Sequence, residues 1–413
     1  MKTIRIGIFG LGRGSAYIDN FLANNAEIVA VCEKSSEKTE KVRKKLGNSV
    51  AYYEDFDSFI NHPMDAVFLA NYFHEHTKYA IACLEKNIHV LSECTSNATM
   101  AEGVALVRAA EKSKAFYMLS ENYPYMIFNQ EMRRVFEGGT LGRLMFAEGE
   151  YNHPGNIYST ESKHDLYDSE IHWRHFLPQT YYITHSLAPL VCATGALPIR
   201  VSAFPIIKPR PKDCVSIKRT AEKTAIITCL NNDGSVYRVT GCAAFGGHEN
   251  SYRLCGEKGQ IENVRGTDGM IMLSYNSWQM PEGMEEHNYY KAEIKDKDEE
   301  LIKKAGHGGG DFFVARVFLD CIRKNKKPEM DEYFATRLAS VAILSHRSML
   351  ENGVPYDIPD FKKEEDRKKY ENDTLSPFWY SDGTPPSMPC TSVKGYEPSE
   401  LQFENYRKAM AKS

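Results

Sequence analysis

Residues 3 to 9, TIRIGIF, form a short apolar, β-rich run that meets Gly10, Gly12 and Gly14, and the SAYIDNFLANN behind those glycines has helical character. Further apolar runs, EIVAVC, DAVFLA, IHVLSE and AFYMLSEN, are separated by the helix-like stretches KTEKVRKKLG, HTKYAIACLEKN and MAEGVALVRAAEKSK. Buried strands alternating with helices predict a doubly wound parallel sheet through about residue 124. From about residue 143 the texture changes. LMFAEGEYN, PIRVSAFPI, TAIITCLNNDGSVYRVTGCAAF, SYRLCGEKGQIENV and GMIMLSYN are longer strand-like runs, with NNDGS and GEKG as hairpin turns. They predict a second domain on a mostly antiparallel sheet, followed by the helical GDFFVARVFLDCIRKN and FATRLASVAILSHRSMLENG.

The expected class is therefore α/β: an N-terminal Rossmann doubly wound parallel sheet over residues 1–124, and a C-terminal α+β domain with a large, mostly antiparallel sheet over 125–360. A tail over 361–413 packs on the body, with FKKEEDRKKYEND as a solvated charged face and SPFWYSDGTPPSMP wrapping over a neighbouring surface. A length of 413 residues suits two domains, since single cores seldom exceed about 250 to 300 residues. Lys plus Arg total 51 against 55 for Asp plus Glu, a formal charge of −4. That balance sets up no overall field for nucleic acid or an anionic membrane, so a small-molecule partner is expected. No window approaches the ~18 continuous apolar residues of a membrane span, and the N-terminus enters a strand at once, so the expectation is a soluble, cytoplasmic protein. The ten cysteines contain no C-x-x-C pair, several lie in apolar runs, and reduced buried thiols without a metal site are expected.

The first chemical signal is GIFGLGRGS. Small residues between a strand and a helix let backbone N–H groups approach a pyrophosphate. Gly10 and Gly12 take the first two positions of G-x-G-x-x-G, Ser15 takes the third, and Gly14 sits one place early. Glu33, at the end of the second strand, is placed to accept bonds from a ribose diol and to repel a 2′-phosphate, which favours NAD over NADP. In NYFHEH, after a later Rossmann strand, Asn71, His74 and His76 are expected to border the cofactor; the H-x-H spacing also resembles metal spacing.

The second signal is TYYITHSLAPL, with Tyr182 three residues before His185 in a helix-compatible apolar setting. In isolation such a pair is more often packed than catalytic. Imidazole exchanges protons near neutrality, however, and a phenol beside it can relay one.

The segment HTKYAIACLEKNIHVLSEC and the two-domain plan resemble the Gfo/Idh/MocA oxidoreductases over about residues 1–350. That family carries Glu-Lys-Pro after this strand, where the present chain has Glu93, Cys94 and Thr95, and Tyr181 stands where its Asp-x-x-x-His aspartate would be. A narrower resemblance accounts for both departures: the NAD-dependent glycosidases of glycoside hydrolase family 109, the α-N-acetylgalactosaminidases. The matching segments are Arg13-Gly14, Glu121-Asn122, GRLMFAEGEYNH with Tyr151 and His153, Trp173-Arg174, Tyr182 to Pro189, His287 to Tyr290, and Gly306 to Phe312.

The resemblance implies bound NAD and a glycoside or sugar substrate, with Tyr182 and His185 as the proton-transfer pair and either one as the base. It implies Tyr151, His153, Arg174, Tyr290 and His307 at the substrate. The residues themselves leave Tyr289 as an alternative ring to Tyr290, and Asp311 as a plain cap of the helix that follows His307. It implies Gly10, Gly12, Arg13, Gly14, Glu33, Asn71, His74, His76, Glu93 and Asn122 at the cofactor. The expected reaction is glycoside cleavage through transient oxidation at C3, one of the exceptions to the two-carboxylate rule. A sugar dehydrogenase that releases NADH and a non-catalytic sugar or nucleotide sensor are the alternatives. A homo-oligomer through the open sheet of the second domain is also expected.

Overall fold

The structure, a computed structural model, describes residues 2–156 and 166–412. Among these, the chain gathers into two compact units, each assembled from three segments: 1–131, 292–339 and 359–374 in the first, and 132–291, 340–358 and 375–413 in the second. The tail beyond residue 361 is thus divided between them.

The first unit is built on six parallel strands: β1 (Ile4–Phe9), β2 (Ala26–Cys32), β3 (Ala51–Tyr53), β4 (Ala66–Leu69), β5 (His89–Ser92) and β6 (Tyr117–Leu119). Their order is β3-β2-β1-β4-β5-β6, the doubly wound arrangement, with the reversal of strand order beside β1. The register pairs Ile4 with Ala26 and Phe9 with Leu69, which aligns the C-terminal ends of β1, β2 and β4. Ile4, Ile6, Ile8, Val67, Phe68 and Leu91 are fully buried, as strands covered on both faces require. The helix Met100–Lys112 starts in a capping box: Thr99 accepts from the Glu102 backbone while Glu102 accepts from that of Thr99.

FKKEEDRKKYEND departs from the solvated face expected of it. It forms the helix Glu364–Tyr370, and Arg367 turns inward, 7% exposed, to pair with Glu111 and donate to the Phe361 carbonyl at 2.6 Å. A charge run hides such a residue because one inward position in a single helical turn leaves no periodicity to read.

The second unit is built on a nine-stranded sheet: β7 (Leu144–Asn152), β8 (Pro198–Ile207), β9 (Glu222–Asn231), β10 (Val236–Ala243), β11 (Glu249–Gly256), β12 (Gly259–Asn263), β13 (Met270–Tyr275), β14 (His287–Lys291) and β15 (Tyr356–Asp357). The order is β14-β13-β12-β11-β7-β10-β9-β8-β15, antiparallel except where β7 runs parallel to β10. Alternation along β7 buries Ala147, Gly149 and Tyr151 on one face and leaves Phe146, Glu148 and Glu150 on the other. The helix Thr184–Thr194 lies on the first face, because Gly149 leaves room for it: a Cβ there would overlap the Ser186 carbonyl. Gly241 of β10 likewise admits the 3-10 turn Gln179–Tyr182, whose Gln179 carbonyl a Cβ would strike. On the opposite face Glu148 pairs with Arg238 and Arg253 from its two neighbours, and Glu150 with Arg265. Among the described residues no helix is long and apolar enough to cross a membrane.

Candidate active site

In the first unit β1 ends at Gly10, whose φ of 91° and close approach to the Ala70 carbonyl oxygen, 2.5 Å from a Cβ built there, leave room only for glycine. Gly14 packs against Ile8 in the same way. Gly12 differs, for a Cβ at this position would meet nothing within 4 Å. Its smallness keeps a cradle open at the turn, in keeping with backbone that must approach a pyrophosphate closely. Glu33 ties the end of β2 to this turn by accepting from the Leu11 N–H at 2.7 Å and the Ser35 N–H at 2.9 Å. Two ionised oxygens retain lone pairs for a ribose diol, and their charge disfavours a phosphate ester. These features fit NAD.

Asn71, His74 and His76 follow β4, and both histidines are 2% exposed. The Asn71 side chain donates to the Tyr72 carbonyl at 3.3 Å. His76 has Nδ1 2.8 Å from the Thr95 carbonyl oxygen, which can only accept, so the ring proton sits on Nδ1 and Nε2 is an acceptor. Burial pushes its pKa down to about 4, and the imidazole is neutral.

Three expected residues, Arg13, Asn122 and His307, converge on one carboxylate together with Tyr17. Asp311, 2% exposed, accepts from Arg13 Nη2 at 2.7 Å, Asn122 Nδ2 at 2.6 Å and the Tyr17 hydroxyl at 3.3 Å, and lies 3.1 Å from His307 Nδ1. Arg13 also donates through Nε to Glu93 at 3.1 Å. Burial alone would raise the Asp311 pKa, but the bond from His307 and the charge of Arg13 outweigh it and hold the carboxyl ionised, well below the usual range. Arg13, Glu93 and Asn122 thus meet as expected of neighbours. His307, assigned to the substrate on resemblance, sits in this same cluster, with its ring 5.9 Å from that of Tyr123. Asp311, weighed only as a cap, is the hub, and it reaches Arg13 across a separation of 298 residues.

In the second unit Tyr151 ends β7 on the helix-covered face, Tyr182 closes its 3-10 turn, and His185 lies in the first turn of Thr184–Thr194. The His185 ring stands edge-on to both tyrosines, 4.9 Å from Tyr151 and 5.2 Å from Tyr182 between ring centres. Tyr151 and Tyr182 are 6.0 Å apart and nearly parallel, and His153 stacks on Tyr151 at 5.8 Å. The Tyr252 hydroxyl fixes the helix start by donating to the His185 carbonyl at 2.5 Å, and the Ser186 hydroxyl donates to the Thr240 carbonyl. Tyr181, next to the pair, is core: its ring meets Phe378 at 5.3 Å and His346 at 5.9 Å.

Tyr151, His153, Arg174 and Tyr182 open on one cavity of about 460 Å³. Tyr290 does not join them. It lies on β14, four strands from β7, which at about 4.8 Å per strand is roughly 19 Å away. The cavity brings in residues that the sequence did not single out, among them Tyr167, Arg210, Lys218, Glu222 and Lys223. Only the dense cationic spacing of RPKDCVSIKRTAEK could have signalled them. Cys242 also lines it, and burial pushes its thiol up to about 11 although Lys218 and Arg174 pull the other way.

A glycine turn with Glu33 bonded to it lies in one unit and a polar aromatic cavity in the other. Residues 4–121 match the family model of the oxidoreductase family, NAD-binding Rossmann fold, and residues 218–368 match that of the glycosyl hydrolase 109 C-terminal domain. The protein is an NAD-dependent carbohydrate enzyme. Its NAD-binding domain is similar to the Gfo/Idh/MocA oxidoreductases and its C-terminal domain to glycosyl hydrolase family 109. A glycosyl hydrolase family 109 protein of Streptomyces filamentosus is 25% identical over 410 residues, spanning 89% of this chain and 79% of the relative. Among solved structures, levoglucosan dehydrogenase in complex with NADH and levoglucosan superposes with a TM-score of 0.73 at 17% identity, covering 87% of this chain and 100% of the other. An oxidoreductase from Agrobacterium radiobacter in complex with NAD+, L-tartaric acid and magnesium gives 0.68 at 14% identity, covering 86% and 98%.

Proposed function

We propose that the protein cleaves a glycosidic bond through transient oxidation of the sugar and ends each turnover with its NAD in the starting state. The observation that supports this best is the edge-on contact of His185 with Tyr151 and Tyr182 beside a cavity, in a chain with a family 109 C-terminal domain. When bound, NAD supplies reversible hydride removal at C3 of the sugar, which acidifies the proton on C2. Tyr182 and His185 take that proton from C2, one as the base and the other as its hydrogen-bonding relay, while the C1–O bond breaks and the aglycone leaves. Water then adds at C1, the proton returns to C2 and the hydride to C3. Tyr151, His153 and Arg174 orient the ring, and Arg174 is held for this by stacking its guanidinium 4.4 Å over Trp173. Gly10, Gly12, Arg13, Gly14, Glu33, Asn71, His74, His76, Glu93 and Asn122 are assigned to holding NAD, with His307 beside Arg13 and Asn122 at Asp311.

The test is an aryl glycoside panel in D₂O, read for aglycone, for NADH absorbance and for deuterium at C2 of the released sugar. Aglycone release with deuterium at C2 and no NADH build-up is the expected result. NADH accumulating in step with sugar oxidation, without aglycone, would instead establish the second reading, a sugar dehydrogenase. That reading draws on the dehydrogenases that share the fold. Self-association through the open face of the nine-stranded sheet is part of the proposal. Glu148→Arg, which turns the Arg238–Glu148–Arg253 ladder into three cations, should lower the sedimentation mass.

A further inference from the structure

The cavity of the second unit carries a charge imbalance that proton transfer does not use. Four cationic residues line it, Arg174, Arg210, Lys218 and Lys223, and among the described lining residues Glu222 is the one carboxylate. Five other arginines of this unit are ion-paired: Arg219 meets Glu397, Arg238 and Arg253 meet Glu148, Arg265 meets Glu150 and Arg407 meets Glu170. Arg174 and Arg210 have no such partner among the described residues. The Arg174 guanidinium lies over the rings of Trp173, at 4.4 Å, and Tyr167, at 5.8 Å. Arg210 is 8% exposed; its Nη1 donates to the Thr220 carbonyl at 2.6 Å, and its buried Nε has no acceptor.

Among the described residues Glu222 pairs with neither arginine and is one carboxylate against four cations; its Oε1 accepts from three neutral donors in the tail, the Thr391 hydroxyl at 3.0 Å and the Ser392 N–H and hydroxyl, both at 2.6 Å. A guanidinium cannot shed its proton, so an unmatched pair of them in a cavity wall is costly unless an anion comes to it. Its planar fork suits two oxygens of one carboxylate, sulfate or phosphate.

We propose that the sugar derivative taken by this cavity bears an anionic group, a carboxylate or a sulfate or phosphate ester, gripped by Arg210 and Arg174, while the uncharged part of the ring lies against Tyr151 and Tyr182. This rests on the reading of the cavity as the sugar site. Arg210 is then a specificity residue that separates charged from neutral glycosides.

The experiment is calorimetric titration of the full-length, NAD-loaded protein. The ligands are glucuronate and galacturonate, the 6-sulfates and 6-phosphates of glucose and galactose, and the two neutral hexoses as matched controls. At least one acid should bind about tenfold or more tightly than its neutral counterpart, weaken when salt is raised, and lose that preference in Arg210→Met and in Arg174→Met, with NAD affinity unchanged in both. The arms of the panel tell carboxylate from sulfate from phosphate, and the second variant serves should the buried Arg210→Met not fold. No preference for any acid, or a preference that survives both substitutions, overturns the proposal. Binding is read without turnover. Acid-selective binding without aglycone release therefore keeps the anion grip and removes the glycosidase reading, and release from neutral glycosides with no acid preference does the reverse.

Discussion

The two units handle buried charge in opposite ways. Around Asp311 in the first, every partner is supplied by the chain: Arg13, His307, Asn122 and Tyr17 all converge on one carboxylate, and Arg13 is shared with Glu93. Around the cavity in the second, Arg174 and Arg210 have no carboxylate partner among the described residues, while Glu222 accepts from the tail. A closed network fixes geometry and asks nothing of a ligand. An open one leaves part of its stabilisation to whatever binds, so the first unit reads as a frame for a resident cofactor and the second as the place where substrate is chosen.

The contrast can be broken at several points. The largest effect is expected at the ring cluster: Tyr182→Phe and His185→Ala should each lower aglycone release by about 10²- to 10⁴-fold, the usual contribution of a positioned acid or base, with NAD still bound. Near-normal turnover in both would remove them from the mechanism. Next comes Asp311→Ala, which removes the shared acceptor of Arg13, Asn122, Tyr17 and His307 while Arg13 keeps Glu93, and should cost about 1–3 kcal/mol of stability in urea unfolding. A loss under 1 kcal/mol would mean that the network is not the frame described.

The glycine turn sharpens the same comparison from the ligand side. Gly12→Ala should leave unfolding within about 0.5 kcal/mol, since its Cβ meets nothing, yet weaken NAD by about tenfold or more. Gly10→Ala, at φ 91° against Ala70, should destabilise the fold itself.

The smallest effect is on pH dependence. His76 in the first unit and His346 in the second both have pKa values pushed down to about 4 by burial. Unfolded imidazole titrates near 6.5, so each contributes stability above about pH 6.5 that is lost as pH falls toward 4, at up to about 1.4 kcal/mol per pH unit. Glu102, also in the first unit, is raised to about 7 by burial, and its contribution has the opposite sign: stability grows as pH falls from about 7 toward 4.5. His76 and Glu102 therefore oppose one another, whereas His346 stands without such an opponent among the groups named. On acidification to about pH 5 the second unit should show the earlier loss of hydrogen-exchange protection, and His346→Gln should flatten that loss. Equal losses in both units would contradict the assignment.

Local chemistry was legible in the sequence; long-range chemistry was not. The glycine turn with Glu33, the hairpins at NNDGS and GEKG, and the change from parallel to mostly antiparallel sheet all rest on neighbours in the chain, and the structure agrees with them. The parallel pairing of β7 with β10 inside the second sheet could not be read, since strand order leaves no mark on alternation. Asp311 read as a cap because its partnership with Arg13 spans 298 residues. Arg210 and Glu222 passed unnoticed because their meaning lies in what fails to face them. Tyr182 and His185 drew notice through resemblance, and the glycines at 149 and 241 that let their backbone settle on the sheet looked like ordinary strand glycines.

The seat of Glu222 on Thr391 and Ser392 has a consequence for how the cavity can be altered. One wall of the cavity is held by two consecutive residues in a stretch near the chain's end, remote in sequence from the segment bearing Tyr182 and His185. Substitutions at Thr391 or Ser392 therefore act on the cavity wall that bears Glu222 without altering the segment that bears Tyr182 and His185.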